Sequence, residues 1–187
     1  MQTLILDANP KNIEMAAASL LAGELVAMPT ETVYGLAGNA FDQKAIAQIF
    51  AVKERPSFDP LIVHLPDQNW SLPALAEAGL IDIQAIPVEL KAPLDTLLTL
   101  FWPGPMTLVL PRHDRIPELV TSGLSTVALR VPNHPVAQTL LKSTFPLAAP
   151  SANRFGRISP TCAQAVLTEL EGRVHYILDG GNCRIGL

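Results

Sequence analysis

Short apolar runs, among them Leu25 to Met28, Leu61 to Leu65 and Thr126 to Val131, alternate along this chain with segments whose apolar residues recur at helical spacing. Runs such as Leu-Ile-Val and Val-Ala-Leu are apolar on both faces, so they read as central strands that need cover on each side, and the intervening helices supply it. The pattern predicts a three-layer α/β domain with an open, twisted, mixed β-sheet flanked by helices. With 187 residues, 49% hydrophobic and 16% charged, the chain can bury the core such a domain requires.

The first helix is the clearest local reading. Asn9 is a good N-cap, Pro10 suits the first helical position, and Ile13, Ala16, Ala17, Leu20 and Leu21 form an apolar stripe that stops at Gly23. Asp42 caps a second predicted helix running to about Val52, with Ala45, Ile46, Ile49 and Phe50 facing inward. Further helices are predicted over 72–78, up to Phe101, over 135–144 and over 161–171. Strands are predicted over 107–110, 147–149 and 176–178. Seventeen prolines, about twice the usual share of roughly 5%, are scattered between these segments and read as stiff turns and strand ends around a site.

Several classes of function fall away. Thirteen basic residues against 17 acidic ones give a net charge of −4, which supplies no global field for a nucleic-acid backbone. The longest uncharged stretch, Thr96 to Pro111, is short and broken by Pro103, Gly104 and Pro105, so no membrane span is expected. The N-terminus lacks the features of a secretory signal, and the two cysteines, Cys162 and Cys183, read as packing thiols, so a cytoplasmic location is expected. Neither common glycine-rich phosphate loop is present, and His64, His113, His134 and His175 lack metal-ligand spacing.

Four polar clusters lie at the ends of predicted elements, where open α/β sheets build their sites. Pro29-Thr30-Glu31-Thr32-Val33-Tyr34-Gly35-Leu36 places hydroxyls, a carboxylate and a phenol on a loop, or forms no more than a capped turn. Lys53 and Arg55 end the second helix, where they either complement the helix dipole or clamp a polyphosphate; His64 follows on the next strand. Arg130, after three apolar residues, needs a carboxylate, either a ligand's or an internal Asp or Glu. Ala149-Pro150-Ser151-Ala152-Asn153 supplies small residues and neutral donors, with Arg154, Arg157 and Ser159 close behind. Cations and hydroxyls without an obvious general base suit chemistry on a phosphorylated, anionic substrate, driven by positioning and charge neutralisation.

Pro-Thr-Glu-Thr-Val-Tyr-Gly-Leu (29–36), Lys-Glu-Arg-Pro (53–56) with Pro-Leu-Ile-Val-His (60–64), Phe-Trp-Pro-Gly-Pro-Met-Thr-Leu (101–108), Thr-Val-Ala-Leu-Arg-Val-Pro (126–132) and Ala-Pro-Ser-Ala-Asn (149–153) together, in this order, resemble the threonylcarbamoyl-AMP synthase family, or YrdC-like domain. The resemblance spans roughly residues 10 to 187. It implies a YrdC/RibB-like fold and a nucleotidyltransferase reaction that makes threonylcarbamoyl-AMP from L-threonine, bicarbonate and ATP with release of pyrophosphate. This is the first step of threonylcarbamoyl-adenosine formation in tRNA.

Position by position, the resemblance implies that Lys53 and Arg55 contact the ATP phosphates and are the catalytic pair. Asp59, Thr126, Ser151, Asn153 and Ser159 fall at nucleotide-contacting positions, and Thr32, His64, Arg130 and Ala149 at positions lining a threonine pocket. Tyr34 carries over more weakly. ATP enters as a substrate with Mg²⁺, and no prosthetic group or resident metal is implied. Arg130 is expected to pair with the threonine carboxylate, with Thr32 and His64 positioning its hydroxyl and amine. The partners implied are tRNA or tRNA-modification proteins, and no membrane. The chain is expected to be one YrdC-like domain over 1–187, truncated relative to family members that continue from a similar ending into Glu-Ser-Thr, a strand and a later arginine. The rival readings are a non-catalytic RNA-binding or translation-factor module and a paralogue acting on another carbamoyl substrate.

Overall fold

The computed structural model describes residues 2–54 and 59–186. In chain order its elements are β1 (Leu4–Asp7), α1 (Pro10–Leu21), β2 (Val26–Met28), β3 (Gly35–Asn39), α2 (Gln43–Lys53), β4 (Ile62–His64), α3 (Leu72–Glu77), α4 (Val88–Phe101), β5 (Leu108–Pro111), α5 (Glu118–Thr121), β6 (Thr126–Arg130), α6 (Pro135–Lys142), β7 (Leu147–Ala148), α7 (Ala163–Leu170) and β8 (Tyr176–Asp179). The strands form one mixed eight-stranded sheet in the order β1-β8-β2-β3-β7-β4-β6-β5. β8 is parallel to both β1 and β2, between which it lies, and β4 is parallel to β6; the other neighbours are antiparallel.

Local chemistry sets the helix starts. The Asn9 side chain accepts from the Asn12 amide at 3.0 Å and Asp42 from the Lys44 amide at 2.8 Å; each such cap contributes about 1 kcal/mol. α1 buries Ile13, Ala16, Ala17 and Leu20, whereas Leu21, expected in the same stripe, is 60% exposed. Its position in the last turn carries it past the edge of the buried face.

Alternation along each strand divides the core in two. Val26, Met28, Ala37, Leu147 and Leu178 pack with α1 and α6 on one face of the sheet. Ala27, Leu36, Val63, Val127, Leu129, Ala148 and Ile177 pack on the other face with residues of α2, α3, α5 and α7. The predicted three layers are therefore present, but cover is uneven. Among the described residues, no residue of the hydrophobic cluster around α1 and α6 comes from β4, β5 or β6. Val109 of β5, which pairs with Ala128, stands 63% exposed. The expectation of helices on both sides of the Leu-Ile-Val and Val-Ala-Leu runs thus holds on one face only. The other face of β4 and β6 carries Ile62, His64, Ala128 and Arg130, because His64 registers with Leu147 and Arg130 with His64.

Candidate active site

This uncovered strip is where the predicted residues meet. A pocket of about 240 Å³ is lined by Thr30, Thr32, Val33, Gly35, Ile62, His64, Arg130, Ala149, Pro150 and Ser151. All four residues expected to contact an amino acid, Thr32, His64, Arg130 and Ala149, are among them. The 29–36 segment expected as a loop divides: residues 29–34 remain irregular and Gly35 begins β3. Main-chain bonds tie it to the segment after β7, Leu36 N to Pro150 O at 2.8 Å and Ala152 N to Tyr34 O at 2.8 Å.

Arg130 forms the end wall. Its Nη1 donates to Thr32 Oγ1 at 2.9 Å, its Nε to Gly104 O at 3.3 Å, and its Nη2 lies 2.7 Å from Glu31 Oε1. The internal acid left open as a partner for Arg130 is therefore present, and it is Glu31. Thr30 donates its one hydroxyl proton to Val33 O at 2.7 Å, so in its 3.0 Å contact with Thr32 it accepts. The Thr32 hydroxyl then donates to Thr30 and accepts from Arg130, keeping one lone pair for a ligand. His64 is buried beside Arg130, with Nδ1 3.3 Å from Ile62 O. Burial first, and the Arg130 charge second, hold its pKa down to about 3, so the imidazole is neutral.

Thr126, Ala128 and Arg130 share one face of β6 by the two-residue period, which places Thr126 roughly 13 Å along the strand from Arg130. Asp59, half-buried, precedes β4 at this same end of the parallel pair. Ser151 arrives there too, because it follows the antiparallel β7. Lys53 ends α2 and is 1% exposed; its Nζ donates to the carbonyls of Ser151 and of Asn153, the latter at 2.5 Å. Lys53 stands in the last turn of α2, as the dipole-complementing alternative requires, and a second cation that sequence reasoning missed joins it there. Arg173 donates to Val52 O at 3.0 Å and to Glu54 at 2.7 Å, closing the C-terminus of α2. Asn153 donates to Arg154 O and Arg157 O, and its buried Oδ1 has no hydrogen-bond partner. Ser159 lines a different recess of about 420 Å³, with Arg157 and Thr161 and with Ala165, Thr168 and Glu169 of α7, which shares no lining residue with the first pocket. Arg55 lies outside the described residues.

Tyr34 is fully buried behind the pocket, where its hydroxyl donates to Gly181 O at 2.8 Å and accepts from Gly180 N at 3.3 Å. Burial pushes its phenol well above the ordinary value, so it remains a neutral donor. Sequence reasoning also passed over Thr30, Gly104 and the partnership of Glu31, although all three lie inside motifs it had singled out. A larger cleft of about 750 Å³ lies at the other end of β3 and β7, around Asn39, Phe41, Trp70 and Arg115. It contains none of the predicted site residues.

The sequence profile of the Sua5/YciO/YrdC family, described as Telomere recombination, matches residues 18–187. The chain belongs to that family. Among Sua5/YciO/YrdC relatives it is 43% identical to a threonylcarbamoyl-AMP synthase of Pyrococcus abyssi, over 94% of this chain and 48% of that protein. It is 46% identical to one of Bacillus subtilis, over 97% of this chain and 50% of that protein. The chain therefore spans about half the length of these curated relatives. Its fold superposes on P. abyssi Sua5 complexed with L-threonine with a TM-score of 0.87, covering 98% of this chain and 52% of that one at 43% identity. Escherichia coli YciO, 22% identical, shares the fold with a TM-score of 0.75 over 96% of this chain and 85% of that one.

Proposed function

We propose that this chain carries the catalytic domain of an L-threonylcarbamoyladenylate synthase, which joins L-threonine, bicarbonate and ATP to give threonylcarbamoyl-AMP and pyrophosphate. The observation that carries this reading is the single pocket shared by Thr32, His64, Arg130 and Ala149, in a fold this close to a relative solved with L-threonine. Arg130 pairs with the amino-acid carboxylate, while the remaining Thr32 lone pair and the neutral His64 ring receive the substrate hydroxyl and amine. The strip from Arg130 to Thr126, roughly 13 Å long, spaces an amino-acid end from a phosphate end.

At the phosphate end Lys53 and Arg55 neutralise the triphosphate, and Asp59, Thr126, Ser151, Asn153 and Ser159 surround the nucleotide. Threonine's amine nitrogen bonds to the bicarbonate carbon as one C–O bond breaks, and the amine proton leaves with that oxygen as water to give a carbamate. One carbamate oxygen bonds to the α-phosphorus as the bond from that phosphorus to the bridging oxygen breaks, and the electron pair leaves with pyrophosphate. Positioning and charge compensation supply most of the rate. Mg²⁺ enters with ATP, bound to the phosphate oxygens. The product feeds threonylcarbamoyl-adenosine formation in tRNA, in the cytoplasm.

The test is AMP and pyrophosphate formation from ATP, bicarbonate and Mg²⁺, with and without L-threonine and with a panel of other amino acids. Threonine-dependent turnover is expected. Turnover with another amine in preference to threonine moves the chain to a different carbamoyl substrate. Salt-sensitive tRNA binding with neither turnover nor threonine binding replaces the enzyme reading with an RNA-binding one.

A further inference from the structure

Glu31 is a carboxylate that the proposed reaction leaves without a task. It is 2% exposed, and its partner Arg130 is 7% exposed. Burying such a pair costs several kcal/mol of desolvation for each ion, so its retention calls for a reason other than stability. The geometry around it supplies one. Each of the three guanidinium nitrogens of Arg130 faces a different anchor: Nε the Gly104 carbonyl, Nη1 the Thr32 hydroxyl, Nη2 the Glu31 carboxylate. A planar group held at three corners cannot turn about its stem without losing one of them.

Glu31 is itself fixed from behind. Ile185 N donates to the Glu31 carbonyl at 2.9 Å and Gly186 N to the Thr32 carbonyl at 3.1 Å, so the chain after β8 pins the main chain on which the carboxylate stands. Glu31 Oε1 sits 2.7 Å from Arg130 Nη2 as an ion pair, and its buried Oε2 has no hydrogen-bond partner. His134, at the start of α6, has a buried Nδ1 without a hydrogen-bond partner; burial lowers its pKa, and the Glu31 charge acts against that shift.

We infer that Glu31 is a positioning residue, which acts through Arg130 to hold the guanidinium where it meets the carboxylate of the amino-acid substrate. The inference rests on the proposed synthase reading. It assigns Glu31 a directional role: the carboxylate aims Arg130 and does not compete with the ligand for it.

The test compares binding of L-threonine, of L-threonine amide, which lacks the carboxylate, and of ATP to the whole chain and to Glu31→Gln and Glu31→Asp, by calorimetry. Glu31→Gln should weaken L-threonine binding at least tenfold and leave ATP and the amide within about twofold. Glu31→Asp, which keeps the charge one methylene back, should recover part of the loss. If Glu31→Gln does not fold, as read by circular dichroism, Glu31→Asp carries the comparison alone, and a selective loss for L-threonine over its amide is again expected. Tighter L-threonine binding by Glu31→Gln would show competition and overturn the inference, as would equal losses for all three ligands or no loss at all. Failure of the unaltered chain to bind L-threonine overturns the synthase reading itself, and this inference with it.

Discussion

The ammonium of Lys53 donates to the main-chain carbonyl of Asn153 at 2.5 Å, across 100 residues of sequence, and also to that of Ser151. The lysine is thereby a bolt between α2 and the segment after β7 as well as a candidate phosphate ligand. Lys53→Met takes the donor from the buried Asn153 carbonyl, while the Ser151 carbonyl keeps the Asn153 amide at 3.0 Å, and should cost about 1 to 3 kcal/mol of stability, read as a lower urea midpoint, in addition to any loss of ATP affinity. A variant that loses ATP affinity at unchanged midpoint would refute the structural half of this assignment.

His64 gives the fold a pH dependence of predictable sign. Its pKa is held down to about 3 in the folded chain against an ordinary 6.5. Between those values the unfolded chain binds the extra proton, so stability falls as pH drops from 6.5 towards 3, by up to ~1.4 kcal/mol per pH unit. In His64→Gln that titration is gone. The urea midpoint of the variant should therefore drop less than that of the unaltered chain between pH 7.5 and pH 5, and parallel pH profiles would show that His64 is not the group responsible.

Thr32→Val removes the acceptor for Arg130 Nη1 while nearly preserving shape. One buried guanidinium N–H and the Thr30 oxygen each lose a partner, for an expected destabilisation of about 1 to 3 kcal/mol. Under the proposed function the KM for threonine should rise far more than that for ATP; steady-state kinetics in each substrate decides it.

Gly180 has no room for a side chain. A Cβ there would lie 2.6 Å from Pro29 Cγ and 2.8 Å from His134 Cε1. Gly180→Ala must push the chain after β8 off the 29–34 segment, breaking the Tyr34 contacts with Gly180 and Gly181. Faster amide exchange at Ile185 and Gly186 is the expected signature, and unchanged protection would mean that the segment tolerates the extra carbon.

Local signals were readable where a helix announces its own start, as at Asn9-Pro10 and Asp42. They failed where the reason for a residue lies elsewhere in space. β3 reads Gly-Leu-Ala-Gly-Asn, a poor strand by composition. Its glycines answer to neighbours: a Cβ on Gly38 would lie 2.8 Å from Leu25 Cδ2, and one on Gly35 3.2 Å from Ala149 Cβ. β1 went unpredicted because four residues beside the N-terminus form a strand only by pairing with β8. At the site, the structure brings Thr32, His64, Arg130 and Ala149 onto one pocket, and adds Ser151, expected beside the nucleotide, to the same lining. The Glu31 to Arg130 contact was legible only as a demand by Arg130 for some carboxylate, since 99 positions of sequence separate the two.

The placement of β8 between β1 and β2 also sets when the pocket can be completed as the chain leaves the ribosome. β1, at the edge of the sheet, is paired with β8, and the Glu31 and Thr32 carbonyls receive their donors from residues 185 and 186. A nascent chain that has emerged only as far as α7 has made nearly every pocket-lining side chain, yet two strands lack their neighbour and the segment carrying Glu31 and Thr32 has no backing. Ligand binding should therefore switch on only once residues 176–186 have emerged and β8 slots between β1 and β2, and not build up gradually as the chain lengthens.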